Sequence, residues 1–78
     1  MLQKKPTLII TFATTTQAMA VEAFCHAHNL PGRLIPVPRE ITAGCGLSWK
    51  AKPEEKELLI AALTKAEMKW DQCHILEV

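Results

Sequence analysis

Short β-branched runs alternate with stretches of helical period in this chain, and their order leaves few folds open. Residues 7–12 (Thr-Leu-Ile-Ile-Thr-Phe) are β-branched and aromatic and read as a first strand. Threonines 14–16 offer N-caps, and behind them Ala18, Val21, Phe24, Cys25 and His28 recur at helical spacing, which predicts a helix over 16–28. Asn29-Leu30-Pro31-Gly32 should stop it, because proline cannot continue a helix and glycine supplies a turn. Residues 33–37 read as a second strand, placed at a sheet edge because Pro36 has no amide to donate. After a loop over 38–45, Leu47, Trp49 and Ala51 alternate with Ser48 and Lys50, giving a third strand over 46–51. Pro53-Glu54-Glu55 opens a second helix over 54–68, with acids, Glu57 among them, at the positive end of its dipole. Its apolar stripe is Leu58, Leu59, Ala62, Leu63 and Ala66. Trp70 is expected to staple the end of this helix to the core, and residues 72–77 suit a final strand.

The order β-α-β-β-α-β, with right-handed crossovers, predicts an α+β, ferredoxin-like fold: a four-stranded antiparallel sheet with both helices on one face. At 78 residues it reads as a single domain, 1–78, with a thin stability margin. Ile10, Phe12, Leu47 and Trp49 should face the helices. Thr7, Ile9, Thr11, Ser48 and Lys50 should lie on the bare face. None of those five is aromatic, so the base-stacking used by RNA-binding modules of this fold is excluded. Two uses of the bare face remain: contact with solvent, or a homodimer formed with a second copy of the chain.

Charge points the same way. The net charge is +1, too weak to imply nucleic acid or a membrane surface. No run reaches the length of a membrane span, and no signal-peptide pattern is visible. Cys25, Cys45 and Cys73 are odd in number and form no CxxC pair. A cytoplasmic setting with reduced thiols follows.

The chemically pointed segment is Pro38-Arg39-Glu40-Ile41-Thr42-Ala43-Gly44-Cys45-Gly46, longer than a tight hairpin needs. Gly44 and Gly46 remove crowding around the Cys45 sulfur and let backbone amides tilt toward it. With Arg39 they would favour the thiolate, the nucleophilic form. Two readings stand on these residues alone: a reactive thiol, or a cysteine filling space beside a turn.

Thr11-Phe12 with the threonine-rich helix start, Leu34-Ile35-Pro36-Val37-Pro38-Arg39-Glu40-Ile41, and Cys45-Gly46-Leu47 resemble a family of short bacterial proteins labelled "putative Se/S carrier protein-like". The likeness spans nearly the whole chain, and Pro-Arg-Glu-Ile, a three-residue spacer and Cys-Gly are its most specific part. One departure is Asn29 before Leu30-Pro31, where relatives often have glycine. The resemblance implies a sulfur or selenium carrier rather than a self-sufficient enzyme. Cys45 would accept the atom as a persulfide or selenopersulfide, and Arg39, Gly44 and Gly46 would stabilise it. Glu40 would fix the loop. Thiol exchange needs no cofactor. The implied partners are a donor enzyme and an acceptor protein. The alternative is a non-catalytic small-molecule- or protein-binding dimerisation module.

Other constellations read as structural. Cys25 and His28 share a helix face at ligand-like spacing, but two ligands do not complete a metal site, and that face is the buried stripe. His26 points into solvent. Cys73 and His74 alternate on the last strand, and Cys73 reads as inert packing rather than as a resolving thiol, since no electropositive neighbour is evident. Copper carriage needs paired thiolates on one loop, and Cys45 is alone there.

Overall fold

The computed structural model describes residues 5–39, 41 and 46–77. The β-branched run gives strand β1, Pro6–Thr11, and helix α1 follows over Thr15–Ala27. Strands β2 (Arg33–Pro36) and β3 (Leu47–Ala51) come next. A 3-10 turn at Pro53–Glu55 leads into α2 (Lys56–Lys65), and Cys73–Glu77 forms β4. The sheet order is β2-β3-β1-β4 with each pairing antiparallel, the ferredoxin-like α+β arrangement read from the sequence. Pro36 lies on an edge strand, as its missing amide requires.

Both helices pack on the same sheet face. Ala18, Val21 and Cys25 of α1 share one buried cluster with Leu59 and Leu63 of α2 and with Leu8, Ile10, Trp49 and Ala51 of the sheet. Trp70 packs against this cluster as expected. The α2 stripe is narrower than its apolar residues suggest. Leu59 and Leu63, four apart, carry it, whereas Leu58 is 53% exposed and Ala66 is exposed. Leu58 stands about 100° around the helix from Leu59, which turns it off the sheet.

Each helix is closed by its own residues. The Thr14 hydroxyl accepts from the Gln17 amide at 3.1 Å, and the Gln17 side chain accepts from the Ala13 amide at 2.9 Å. At the far end of α1, Asn29 takes φ +53, and the Leu30 amide reaches back to the Cys25 carbonyl at 2.8 Å. The helix is thus stopped by a left-handed Asn29 before Pro31 and Gly32 are reached. Helix α2 ends the same way: Glu67 takes φ +58 and the Met68 amide bonds to the Leu63 carbonyl at 2.9 Å. That is why α2 ends at Lys65 and not at residue 68.

The face away from the helices is not bare, which corrects the expectation from sequence. Thr7, Ile9, Thr11 and Ser48 do lie on it by register, yet Ile9 and Ser48 are 0% exposed and Thr7 and Thr11 are buried. Lys50 is half-buried. The face on which a homodimer was expected is therefore covered at these four positions.

Strand directions fix two ends. At one end lie the β1–α1 turn, the β2–β3 connection and the α2–β4 connection. At the other lie the α1–β2 turn, the β3–α2 connection and the start of β1.

Candidate functional site

The β2–β3 connection is closed at its neck. Pro36 pairs with Leu47, and the Val37 amide donates to the Gly46 carbonyl at 3.0 Å, one further rung of the ladder. Beyond the neck the chain turns at once: the Ile41 amide donates to the Pro38 carbonyl at 3.0 Å. Arg39 is exposed at this turn, while Ile41 is buried at 8% exposure and stands outside the helix-packed cluster. One buried isoleucine thus anchors a connection whose arginine faces solvent.

Gly46 closes the segment with φ +75, a left-handed conformation that favours glycine. No atom lies within 4 Å of where its Cβ would be, so the space beside it is open. These two facts concern Gly46 itself, its dihedral and the space at its own Cβ position. Glu40, Gly44 and Cys45 lie outside the described residues. Of the five residues singled out, Arg39 and Gly46 are therefore placed, one on each side of Cys45 in sequence.

The other two thiols are free and have defined settings. Cys25 is 0% exposed within the helix-packed core, and burial pushes its thiol up to about 11. Cys73 is half-buried, and its thiol is also raised, chiefly by burial. The Lys56 ammonium and a hydrogen bond with Trp70 oppose that rise without cancelling it. Cys73 therefore has the electropositive neighbour that its sequence context did not disclose. Both thiols are held protonated more firmly than a free cysteine, which suppresses nucleophilicity.

The Cys25–His28 pair is no metal site. Cys25 is sealed, and His28 is exposed with its ring 4.4 Å from that of Phe24. His28 thus leaves the buried stripe on which its spacing placed it. Among the described residues no three His, Cys, Asp or Glu side chains gather as a ligand set. His26 is exposed, and the ring of His74 bonds with the Gln72 side-chain oxygen at 3.0 Å.

Thr11 has a role that its sequence position did not suggest. Its main chain bonds to both Gln72 and Asp71, and its hydroxyl accepts from the Gln72 amide at 3.0 Å. It thereby clamps the α2–β4 connection to the end of the sheet that carries the β2–β3 connection. A threonine ending a strand was the available signal, but nothing local named its partner 61 positions away.

The model of the family described as "Putative Se/S carrier protein-like" matches residues 7–75. The chain belongs to this family. The matched span runs from β1 into β4 and takes in the whole β2–β3 connection of this Se/S carrier-like protein. No curated protein and no solved structure matches the chain. Among the described residues no helix is long and apolar enough to cross a membrane.

Proposed function

We propose that this protein carries sulfur or selenium, and that Cys45 is the atom's point of attachment. The observation that carries the reading is the state of the other thiols. In a family described as Se/S carrier-like, Cys25 is sealed with its thiol raised to about 11, and burial raises Cys73 as well. Transfer needs a thiolate that a partner can reach. Cys45 is the cysteine left for that task, beside an open-flanked Gly46 and downstream of an exposed Arg39.

The step is a thiol exchange. The Cys45 thiolate attacks the outer sulfur of a donor's persulfide. A bond forms between Cys45 Sγ and that sulfur, and the donor's S–S bond breaks with its electron pair leaving on the donor thiolate. One thiolate is consumed and one produced, so no oxidant is required. The same exchange with selenium gives the selenopersulfide. Attack on the loaded atom by an acceptor thiolate or other nucleophile returns Cys45 to its starting state. The partners are a donor enzyme that forms a persulfide or selenopersulfide and an acceptor that consumes it.

Incubation of the protein with a persulfide-generating cysteine desulfurase, followed by intact and peptide mass spectrometry, tests this. One added sulfur should map to Cys45 and be lost in Cys45→Ser, with the fold retained. Loading of Cys25 or Cys73 instead, or unchanged loading of Cys45→Ser, overturns the reading. Arg39→Ala should slow loading without removing it.

A further inference from the structure

A second feature lies at the opposite end of the sheet from the β2–β3 connection. A groove of about 580 Å³ is lined by the start of β1, the α1–β2 turn and the β3–α2 connection. Four cations surround it: Lys5, Arg33, Lys50 and Lys52. One carboxylate, Glu55, answers them, and an oxygen of it accepts from the Lys52 amide at 2.9 Å. The local charge is thus about +3, in a chain whose whole net charge is +1.

Register sharpens the concentration. Arg33 of β2 stands directly opposite Lys50 of β3. Like charges facing each other across a ladder destabilise it. No ion pair or side-chain hydrogen bond engages either side chain among the described residues. The cations come from three separate stretches of chain, so helical or strand periodicity alone does not gather them.

The groove's floor is held in place. Gly32 has φ +109, and a Cβ there would run into Trp49 Nε1 and come within 2.5 Å of the Lys50 carbonyl. The indole in turn donates to the Pro31 carbonyl at 3.1 Å. The α1–β2 turn therefore sits hard against β3 and sets Arg33 beside Lys50. Pro6, Pro31 and Ala51 add apolar surface between the charges.

We infer that this groove binds a small molecule through a di- or triphosphate group. A local charge near +3 matches such an anion. Arginine's planar fork suits phosphate oxygens, and the lysines add point charges around it. The volume lies within the range of small-molecule sites and exceeds what inorganic phosphate alone fills. Roughly 15 Å of strand separates this site from the neck of the β2–β3 connection at Pro36 and Leu47, and the inference stands whether or not Cys45 carries sulfur.

Inorganic pyrophosphate and ADP are the probes, titrated into the full chain at constant ionic strength and followed by calorimetry and by backbone amide NMR shifts. Saturable binding of both, with shifts at Gly32, Arg33 and Lys50, supports an organic phosphate ligand. Binding of pyrophosphate alone supports an inorganic one. Arg33→Gln and Lys50→Gln should each weaken binding about tenfold, the loss of one charge-assisted contact. Thermal melts check that both variants fold, and pyrophosphate should raise the melting temperature of the parent but not of the double variant. Lys52→Gln, outside the strands, repeats the test without touching the ladder. Absence of binding at millimolar probe, equal shifts with sodium chloride, or unchanged affinity in all three variants overturns the inference.

Discussion

The Val37 amide and the Gly46 carbonyl, 3.0 Å apart, tie the two sides of the β2–β3 connection together at its base. This bond extends the pairing of Pro36 with Leu47 by one rung, so β3 begins in register at Leu47. Gly46 makes the rung with φ +75, so the position is demanding for its backbone and undemanding for space. Gly46→Ala should therefore lower unfolding free energy by about 1 kcal/mol, the cost of a left-handed L-residue. Gly46→Asn should lose less, since asparagine tolerates that region better. Urea titration of the three proteins checks the order. A loss of several kcal/mol for alanine would mean that a side chain clashes there after all.

Thiol reactivity should rank Cys45 first, then Cys73, then Cys25. Cys25 is sealed and Cys73 half-buried, and both thiols are raised by burial. Competition alkylation near neutral pH, read by peptide mass spectrometry, gives the order. Lys56→Ala should slow labelling of Cys73 further, because the ammonium is one of the two groups opposing its rise. Labelling of Cys25 ahead of Cys45 in folded protein would defeat both this ranking and the carrier reading.

Alkali should destabilise the fold through Cys25. Its thiol ionises near 9 in the unfolded chain and near 11 in the folded one. Between those values the unfolded state holds fewer protons, so stability falls as pH rises. The contribution is fully present below pH 9 and is lost through pH 11. A rise of that size corresponds to about 2–3 kcal/mol. The chain has no tyrosine to obscure this window. Cys25→Ala costs packing at every pH but should show a shallower fall from pH 9 to 11. Equal slopes for the two proteins would mean the buried thiol is not the titrating group.

Much of this architecture is written in the chain. The run of residues 7–12, the alternation of Leu47, Trp49 and Ala51, and Pro36 at an edge each give a local reason for their element. What stayed hidden depends on partners distant in sequence. The burial of Ile9 and Ser48 on the second face, the clamp of Thr11 on Gln72, and Lys56 beside Cys73 have no local signature. The opposition of Arg33 and Lys50 needs the register, which periodicity leaves free. The helix stops at Asn29 and Glu67 were half legible. Asparagine is a common left-handed cap, whereas glutamate is not. At the candidate site, the left-handed turn at Gly46 was legible because glycine's conformational freedom is local.

Glu67 marks a correctable strain. It holds φ +58 to close α2, a conformation that costs an L-residue about 1–2 kcal/mol. Glycine removes that cost but gives back part of the gain through its freer unfolded chain. Glu67→Gly should raise stability by about 0.5–1 kcal/mol, and Glu67→Asn by less. Glu67→Val should lower it, since a β-branched residue fits the left-handed region worst. Thermal melts of the set rank them. A destabilised glycine variant would show that the exposed Glu67 side chain makes a contact worth more than its strain.

Gly32 sets the opposite case, where both dihedral and space forbid a side chain. Its φ is +109, and an added Cβ would run into Trp49 Nε1 and come within 2.5 Å of the Lys50 carbonyl. The first neighbour is an indole buried to 4% exposure and fixed by its bond to Pro31. The second is strand backbone paired with both Ile9 and Arg33. Neither can step aside without disturbing the central core or the ladder. Gly32→Ala should cost about 3 kcal/mol or more, well above the roughly 1 kcal/mol expected at Gly46, where only the dihedral objects. Trp49→Phe in the Gly32→Ala background removes the indole nitrogen and should recover part of the loss, while Trp49→Phe alone should destabilise by losing the Pro31 bond. The double-mutant cycle reads the coupling directly. If the two losses simply add, the turn is not wedged against the indole, and the placement of Arg33 beside Lys50 must be held by other contacts.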